Sequence, residues 1–428
     1  MAESKGRAGT ERRAGTERLA DTEHSGGEKH SGGERHSGGE KHSGGERHSG
    51  GERHSGGERH SAPTRREFIR ASLVAGGGLY FGLAGCGPDG ERVPPDPLRI
   101  LILGGTGFIG PHQVEYAMGR GHTVTLFNRG MTNPHLFPEV EKLVGDRNDD
   151  LEALKGREWD VVFDNAAMEP EWVRLSTEVL REAVEQYLFI STLSVFADDG
   201  VVDQTETGVL AEYDEEADEV VTGSAYGGKK VLCERVAEEA FPGRTTVLRP
   251  SIITGPGDPT LRFPYWPIRV NRGGEVLVPG EYADPIQIID ARDLAEFAVG
   301  LSERSVHGIF NASGPGYPMG RMLDDVRVGL GADATFTWVP EDFLTEQEVL
   351  RQINGLYSNA VRVPGLEGYN QYNVDKALSA GLTLRNMGET ARDIVAWYSA
   401  ASEEERPRGR VLPAEREAEV LAAWHAQG

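Results

Sequence analysis

The stretch that most constrains the fold of this chain runs from Leu98 to Gly110 and reads LRILILGGTGFIG. It begins with a short unbroken apolar run, which is typical of a parallel strand buried on both faces. Three glycines follow at fixed spacing. Gly104 permits a tight turn, Gly107 lets the backbone approach a pyrophosphate, and Gly110 lets the next helix pack closely on the strand. The stretch therefore predicts a nucleotide-binding turn between a buried strand and a helix.

The helix after this turn is predicted from about Phe108 to Met118. Its first N–H groups have no partner inside the helix, so they attract the phosphates of a nucleotide. Phe108 and Ile109, which begin the helix, are therefore assigned with the glycines to the cofactor site. A glycine-rich turn that binds no ligand is the alternative.

Beyond this turn the chain alternates short apolar strands with helices. Strands are predicted at residues 122–127, 142–144, 160–163, 187–191 and 245–248, and helices at residues 171–186 and 225–240. Such alternation requires right-handed crossovers and builds an α/β fold with a doubly wound parallel sheet. We assign residues 98–254 to this nucleotide domain and residues 255–428 to a smaller α/β substrate domain. Two later pieces, Gln287–Asp293 and Ile309–Asn311, are predicted to return to the nucleotide domain.

Residues 1–61 are of low complexity. From His24 onward the chain repeats a hexapeptide, which consists of HSGGE and then Lys or Arg, so that a histidine occurs every six residues. Each repeat balances one acid with one base and has almost nothing to bury, so we expect this segment to be disordered. Two alternatives stay open: loose metal binding by the histidines, and a translation start downstream of the repeat.

Residues 62–97 are predicted to hold an export signal and a linker. Arg65 and Arg66 precede a weakly apolar run that ends at Cys86. The run is shorter than the roughly 20 helical residues that span a bilayer. TRREFIR resembles the twin-arginine translocation consensus and LAGC resembles a bacterial lipobox, which implies a lipid on Cys86. We therefore expect a periplasmic or membrane-anchored lipoprotein that meets the membrane only through its signal or lipid. A cytoplasmic location is the alternative.

Charge and cysteine content argue against two classes of protein. The net charge of −23 disfavours nucleic acid as a partner, because phosphate contacts need clustered Lys and Arg. The two cysteines, Cys86 and Cys233, make no disulfide framework. Cys233 lies in an apolar helical stretch and is interpreted as a core residue. We assign no metal ligand.

Tyr226 and Lys230 form the candidate catalytic pair. At positions i and i+4 they lie on one face of the predicted helix. A phenol with a pKa near about 10 is a poor base at neutral pH, but a nearby ammonium stabilises the phenolate and lowers the pKa of Tyr226. Thr192, at the end of the fifth strand, would hydrogen-bond the reacting oxygen and polarise it. A packed tyrosine beside a solvent-facing lysine is the alternative.

Residues after the second, third and fourth strands are assigned to the cofactor site, and those after the second strand favour NADP, with NAD as the alternative. Asn128 stands where an NAD-binding fold usually has an acid, and Arg129 can pair with a 2′-phosphate. Asp146 either accepts a hydrogen bond from the adenine amino group or stabilises a turn. Ala166, a small residue after the fourth strand, either lets the chain pass close to the cofactor or is explained by plain close packing.

From Leu98 to about Tyr398 the chain resembles an extended short-chain dehydrogenase/reductase of the NAD-dependent epimerase/dehydratase family. The matching motifs are GGTGFIG, DNAA, STLSVF, YGGKK, LRPSIITGPGD and QIIDARDLA. The resemblance implies a Rossmann sheet whose three glycines bind the pyrophosphate, and it places Pro250 against the nicotinamide. It also implies that Tyr226 is the acid/base, with Lys230 as its helper and Thr192 as the hydroxyl partner.

The chain also departs from the family pattern. Ser191 and Ser194 are alternative hydroxyls to Thr192. Leu193 and Ser194 stand where the sugar 4,6-dehydratases of the family carry an acidic pair, so that dehydration is not expected. Residues 214–219 are strongly acidic and are interpreted as a solvated lid. The second domain contains three arginines of interest, Arg262, Arg269 and Arg272. They are either binding sites for anionic substrate groups or ordinary surface charges.

These observations predict epimerase-like chemistry on a sugar-like or nucleotide-sugar-like alcohol, with tightly held NADP(H). Twin-arginine export moves folded proteins, and outside the cytoplasm no obvious pool recharges a spent nicotinamide. A reaction that returns its own hydride would continue there, whereas a net reduction would stop after one turnover. An ordinary NADPH-dependent carbonyl reductase and a non-catalytic nucleotide-binding protein are the alternatives, and a homodimer is left open.

Overall fold

Residues Arg99–Leu103 form strand β1, which lies inside a seven-stranded parallel sheet, as its unbroken apolar run predicts. The computed structural model describes residues 96–165, 167–213, 223–407, 409 and 411–427. The later strands are β2 (Thr123–Asn128), β3 (Glu141–Val144), β4 (Trp159–Asp164), β5 (Val184–Ile190), β6 (Thr245–Pro250), β7 (Ile252–Thr254), β8 (Gly274–Pro279), β9 (Pro285–Ile286), β10 (Ile288–Asp290), β11 (Gly308–Ala312), β12 (Tyr317–Pro318) and β13 (Ala334–Val339).

Helices follow β1, β4 and β5 of the sheet, and a further helix precedes β11, in keeping with the alternation expected from the sequence. They are α1 (Ile109–Gly119), α2 (Pro170–Leu180), α3 (Gly223–Ala240), α4 (Tyr265–Asn271), α5 (Ala291–Glu303), α6 (Met319–Leu330), α7 (Glu341–Glu346), α8 (Leu350–Ile353), α9 (Asp375–Ser379), α10 (Met387–Ala400) and α11 (Ala414–His425).

The order of strands across the sheet is β3-β2-β1-β4-β5-β6-β11, and all neighbours are parallel. The chain runs outward in one direction from β1 to β3 and then crosses back to β4. A crevice opens where this direction reverses, at the carboxyl ends of β1 and β4. The doubly wound parallel sheet is therefore confirmed.

The sheet is covered on both faces, and β1 shows how. Ile100 and Ile102 face one core cluster, which includes residues of α1 and α5. Leu101 and Leu103 face the other, which includes residues of α2 and α3. Because successive strand residues point to opposite faces, a strand buried on both sides must be apolar throughout.

A second core lies beyond the sheet domain. It is built around the parallel pair β8 and β13 with helices α4, α6 and α10. Ile309–Asn311 lies in β11, which pairs with β6 at the edge of the main sheet. The segment Gln287–Asp293 returns differently. Its strand β10 pairs with β7 outside the seven-stranded sheet, while Ile289 is buried in the same core cluster as Ile100.

One predicted boundary is wrong. The helix expected over Glu171–Gln186 ends at Leu180, and β5 begins at Val184 rather than at Tyr187. Val184 and Gln186 pair with Trp159 and Val161 of β4, so tertiary pairing overrides the helical pattern of this segment. Cys233 is fully buried, as predicted for a core residue.

Several predictions fall on residues outside the described part of the chain. These are the repeat over 1–61, the export signal with Cys86, the acidic segment over 214–219, and Ala166. Within the described residues, every helix is too short or too polar to cross a lipid bilayer.

Candidate active site

The glycine-rich turn joins β1 to α1 at the crevice. Gly104 has a φ of +111°, a conformation that a residue with a side chain rarely adopts, so the turn requires glycine here. At Gly110 a Cβ would lie less than 3.0 Å from the backbone of Gly105, so glycine also allows α1 to approach the turn. Gly105 has a φ of +93°. The sequence interpretation missed it, because it considered only the glycines that are spaced three residues apart.

Gly107 differs from the other two glycines. A Cβ at this position would meet no atom within 4 Å, so the backbone borders open space. Phe108, the residue before α1, contributes no side-chain cap to the first N–H groups of the helix. An open backbone cradle beside uncapped N–H groups fits the pyrophosphate of a dinucleotide. Ile109 begins the helix at the place expected.

The end of β2 carries Asn128 and Arg129. The Asn128 amide donates to the carbonyl of Gly104 at 3.3 Å, and its Oδ1 accepts from the backbone of Gly130 at 2.8 Å. Asn128 therefore fastens the glycine-rich turn to the end of β2. Arg129 is exposed and makes no hydrogen bond or ion pair within the described residues, which leaves its guanidinium able to meet a ligand.

Asp146 follows β3 in a tight turn. Its Oδ1 accepts a hydrogen bond from the backbone of Asn148 at 3.0 Å, and its backbone pairs with Asp150. This is the turn-stabilising geometry that the sequence left as one of two roles. The adjacent Arg147 forms a two-pronged ion pair with the fully buried Asp164 at 2.7 and 2.6 Å.

Thr192 and Tyr226 come together at the carboxyl edge of the sheet. The Thr192 side chain is close enough to lower the pKa of the Tyr226 phenol against the effect of burial, although 34 positions separate the two residues along the chain. Gly227 makes this approach possible, because a Cβ there would lie less than 3.0 Å from the carbonyl of Ser194. Glycine inside a helix costs up to about 1 kcal/mol, so its presence beside Tyr226 signals a close contact.

The alternative hydroxyls have other partners. Ser191 is buried and donates to Glu234 at 2.5 Å. Ser194 is exposed, and its hydroxyl accepts from the Thr192 hydroxyl at 3.2 Å, while its backbone N–H donates to the Thr192 hydroxyl at 3.1 Å. Of the three hydroxyls considered from the sequence, Thr192 is the one that acts on the pKa of Tyr226.

Lys230 lies one turn beyond Tyr226 and is 3% exposed. Its ammonium donates to the carbonyl of Ile190 at 2.7 Å and to that of Ala167 at 2.9 Å. It also lies 4.1 Å from the centre of the Phe189 ring. Burial lowers the pKa of Lys230 to about 8, because a charged ammonium is poorly solvated there. The alternative of a solvent-facing lysine is therefore wrong.

The expected lowering of the Tyr226 pKa is also wrong for this structure. Burial raises the pKa of Tyr226, and the opposing influences come from the Thr192 hydrogen bond and the positive charge of Arg262. The ammonium of Lys230 is directed at two carbonyl oxygens instead. In this state Tyr226 is a phenol at neutral pH, able to give a proton to a substrate oxygen.

A buried ion pair that was missed from the sequence holds the site together. Glu234, two turns after Tyr226 on α3, accepts from Arg249 at 3.0 and 2.6 Å. Their side chains are 3% and 1% exposed. The same carboxylate accepts a hydrogen bond from Ser191, the neighbour of Thr192. Its partner Arg249 is the residue before Pro250. Pro250 is the buried last residue of β6, so three site-bearing elements meet at one carboxylate.

The three arginines of the second domain have different surroundings. Arg269 is buried against Glu417 at 2.5 Å and donates to two backbone carbonyls, so it is structural. Arg272 is exposed. Arg262 is half-buried, and its positive charge opposes the effect of burial on the pKa of Tyr226. Arg269 is therefore excluded as a binding site for an anionic substrate group, and Arg262 and Arg272 remain candidates for that role.

Comparison with known proteins identifies the family. The sequence model of the NAD dependent epimerase/dehydratase family matches residues 100–313. The chain belongs to this family. That range contains every predicted catalytic and cofactor-binding residue, so the site described above lies within the family domain. No group of three or more His, Cys, Asp or Glu within the described residues is arranged to hold a metal ion.

Individual relatives are distant. The chloroplast stem-loop binding protein of 41 kDa b from Arabidopsis thaliana is 27% identical over 51% of this chain and 59% of its own length. The human sterol-4-alpha-carboxylate 3-dehydrogenase, decarboxylating, is 30% identical over 38% of this chain and 46% of its own length. The chain thus spans about half the length of these curated relatives. The solved UDP-N-acetylglucosamine 4-epimerase from Bacillus cereus shares the fold, with a TM-score of 0.52 and 16% identity over 70% of this chain and 98% of its own.

Proposed function

We propose that this chain is an NADP(H)-dependent enzyme that epimerises, or oxidises and re-reduces, a secondary alcohol of a sugar-like molecule. The observation that carries the proposal is the buried ammonium of Lys230, one helical turn beyond Tyr226 and bonded to the end of β5, the strand that leads into Thr192. These three groups stand at the edge of the sheet where the glycine-rich turn offers a dinucleotide cradle. The solved 4-epimerases with this fold agree with the proposal.

The residues divide the chemistry between them. A bound nicotinamide supplies the acceptor of a hydride and afterwards its donor. Tyr226 exchanges a proton with the substrate oxygen, Thr192 hydrogen-bonds the same oxygen, and Lys230 supplies a fixed positive charge beside them. One C–H bond and one O–H bond break to give a carbonyl, and both form again when the hydride returns to the other face.

Arg129 supports the choice of NADP over NAD. It is exposed next to the end of β2, where a 2′-phosphate would lie, and no acidic residue stands at Asn128 to hold a free 2′-hydroxyl. Guanidinium–phosphate pairs are among the stronger charge-assisted hydrogen bonds.

The proposal includes export by the twin-arginine route. Export would favour a redox-neutral reaction, because a tightly held cofactor would then regenerate itself. Export can be tested on protein expressed in a bacterial host. Fractionation should place it in the periplasm or in the membrane, and Arg65→Lys with Arg66→Lys should retain it in the cytoplasm. Export that ignores this pair of substitutions would contradict the signal.

The reaction is tested on the purified full chain. Mass spectrometry of the small molecules released on denaturation should identify NADP(H), retained through gel filtration. Incubation with a panel of sugars in deuterated water, followed by NMR, should reveal an epimer without net change in absorbance at 340 nm. Tyr226→Phe should retain the nucleotide and lose activity by about a hundredfold or more, the range of general acid–base catalysis.

A net dehydrogenase is the second candidate, favoured by the human relative, whose name describes a 3-dehydrogenase. The same experiment separates the two functions. A stoichiometric change at 340 nm with one oxidised or reduced product would support the dehydrogenase and exclude the redox-neutral cycle. Unchanged activity in Tyr226→Phe would exclude both.

A further inference from the structure

We propose that Gln113 and Asn165 are positioning residues for Lys230, and that they act through the segment that follows β4. Gln113 lies on α1, the helix that begins at the glycine-rich turn, whereas Lys230 lies on α3, on the opposite face of the sheet. The two amides would thus join the cofactor helix to the ammonium of the site. The functional meaning of this inference rests on the proposed function, in which Lys230 supplies a positive charge beside Tyr226.

Two amide groups form a closed pair at the crevice between β1 and β4. The Nε2 of Gln113 donates to the Oδ1 of Asn165 at 3.0 Å, and the Nδ2 of Asn165 donates to the Oε1 of Gln113 at 2.6 Å. Gln113 has no exposed surface, so its amide cannot turn to water instead. Removing either partner leaves a buried donor and a buried acceptor unsatisfied, and the two side chains therefore hold each other in place.

Asn165 also lies directly against the glycine-rich turn. Its backbone N–H donates to the carbonyl of Leu103, the last residue of β1, at 3.4 Å. A Cβ on Gly104 would lie 3.8 Å from the Cβ of Asn165. The segment after β4 is thus held against β1, the turn and α1 together.

The same segment carries one of the two carbonyls that hold Lys230. Two positions after Asn165, the carbonyl of the fully buried Ala167 accepts from the ammonium at 2.9 Å. On the other side of Asn165, the carboxylate of Asp164 is fixed by its two-pronged ion pair with Arg147. With both Asp164 and Asn165 held, only a short span of backbone separates the amide pair from the Ala167 carbonyl.

The acceptors around the Lys230 ammonium decide how well its charge is held. The described contacts give it the carbonyls of Ile190 and Ala167, and the centre of the Phe189 ring lies 4.1 Å away. Hydrogen bonds to the charged form of a group favour that form. Release of the segment after β4 would take the Ala167 carbonyl from the ammonium, so the neutral amine would gain over the charged form.

Other titratable groups set a background that the amide pair does not change. Burial lowers the pKa of Lys230, and four neighbours act on it as well: Cys233, Asp164 and Glu234 raise it, and Arg147 lowers it. These groups face the ammonium from α3, from the end of β4 and from the loop after β3. The two amides are not ionisable, so substitutions that remove them leave every one of these charges in place.

The test reads the titration of Lys230 in the full chain without nucleotide or substrate. Chemical denaturation compares the free energy of unfolding of each protein with that of its Lys230→Met counterpart, from about pH 6 to about pH 10. Because the pKa of Lys230 is lower in the folded chain than in the unfolded one, this difference rises with pH, beginning at the folded pKa. In Asn165→Ala and in Gln113→Leu the rise should begin about half a pH unit lower than in wild type, or lower still, because the ammonium loses an acceptor.

Gln186→Leu is the matched control. Gln186 is a buried glutamine of the same sheet, four residues before Ile190 on β5, and its amide donates to the hydroxyl of Thr246 at 2.8 Å and to a backbone carbonyl. This variant should lose stability as the pair variants do and keep the titration of wild type. A rise that begins at the wild-type pH in both pair variants, or that moves equally in Gln186→Leu, would overturn the proposal.

An exchange variant tests the pairing itself. Gln113→Asn combined with Asn165→Gln keeps the combined length of the two side chains and should return the titration towards the wild-type pH. An exchange variant that is shifted as far as the single variants would show that the pair does not hold the segment. If Asn165→Ala does not fold, Gln113→Asn alone, which shortens the pair by one methylene, takes its place; the same shift is expected, and an unshifted titration counts against the proposal.

The outcomes also separate this inference from the proposed function. A chain in which the pair variants shift the titration of Lys230, but which turns over no alcohol, would refute the enzyme and leave the positioning role standing. Turnover of an alcohol by a chain whose pair variants leave the titration unshifted would do the reverse.

Discussion

The Nζ of Lys230 lies 2.7 Å from the carbonyl oxygen of Ile190, the last residue of β5. A second bond at 2.9 Å reaches Ala167, in the loop after β4. One ammonium thus ties α3 to the ends of two neighbouring strands at the carboxyl edge of the sheet. Two of its three N–H donors are used in this way, and the charge stays beside the place where Tyr226 and Thr192 meet.

The first prediction concerns pH. Burial holds the pKa of Lys230 at about 8 in the folded protein, so its ammonium loses a proton as the pH rises through 8. If the charge helps to bind the nicotinamide ribose, the dissociation constant of NADPH should rise several-fold between pH 7 and pH 9. Fluorescence titration measures this, and Lys230→Met should bind more weakly with no such pH dependence. The neighbouring Lys229→Met is the control and should keep the wild-type profile.

The contribution of Lys230 to stability should change with pH in the opposite direction to its contribution to NADPH binding. The folded pKa of Lys230 lies below the ordinary lysine value, so between about 8 and 10.4 the unfolded chain binds more protons than the folded one. The contribution of this group to the free energy of unfolding therefore rises with pH across that range. A fall in the difference between wild type and Lys230→Met would contradict the assignment.

The second prediction concerns the glycine-rich turn. In Gly110→Ala the new methyl group would overlap the backbone of Gly105, which cannot yield as a side chain could. We expect a loss of about 1–3 kcal/mol in the free energy of unfolding, the range for overpacked sites, together with loss of nucleotide binding. Gly119→Ala lies in the same helix, where a Cβ meets nothing within 4 Å, and should be neutral or stabilising. Urea denaturation compares the two; equal stabilities would refute the close packing.

Much of the sheet domain could be predicted because its signals are local. The apolar run of β1 and the glycines after it lie within thirteen residues, and strand–helix alternation needs no knowledge of contacts. The predicted boundary between α2 and β5 was wrong because it depends on a contact that is distant in the sequence. Val184 and Gln186 belong to a strand because β4 pairs with them, and that partner lies some two dozen residues earlier.

In the candidate site, too, the features that could be predicted are those that depend on residues close together in the sequence. Spacing alone brought Tyr226 and Lys230 to one helix face, and the hydroxyl after β5 was found from the motif. The pKa of Tyr226 was predicted in the wrong direction, because burial and the carbonyl partners of Lys230 are visible only in three dimensions. Glu234 could have been found by continuing the same helix face four residues beyond Lys230. Its partner Arg249 could not, since nothing local to β6 marks a buried ion pair.

The third prediction concerns the cofactor. Arg129→Ala removes an exposed guanidinium with no partner in the described residues, so stability should not change. If this group meets the 2′-phosphate, the affinity for NADPH should fall by about tenfold to a hundredfold, the equivalent of one hydrogen-bonded charge pair. The affinity for NADH, which lacks that phosphate, should stay the same. Parallel titrations measure both, and equal losses for the two nucleotides would show that Arg129 does not read the phosphate.

The last prediction concerns the Glu234–Arg249 pair. Both side chains are almost completely buried, and Glu234 also accepts from Ser191. Removing either partner leaves an uncompensated buried charge, so Glu234→Leu and Arg249→Met should each cost about 3–5 kcal/mol of unfolding free energy. The double substitution should cost less than the sum, because no charge is then left alone. Glu234→Gln removes the charge but keeps the shape, and Ser191→Ala removes a single hydrogen bond as a milder control. Additive losses in the double variant, measured by chemical denaturation, would show that the two residues do not act as a pair.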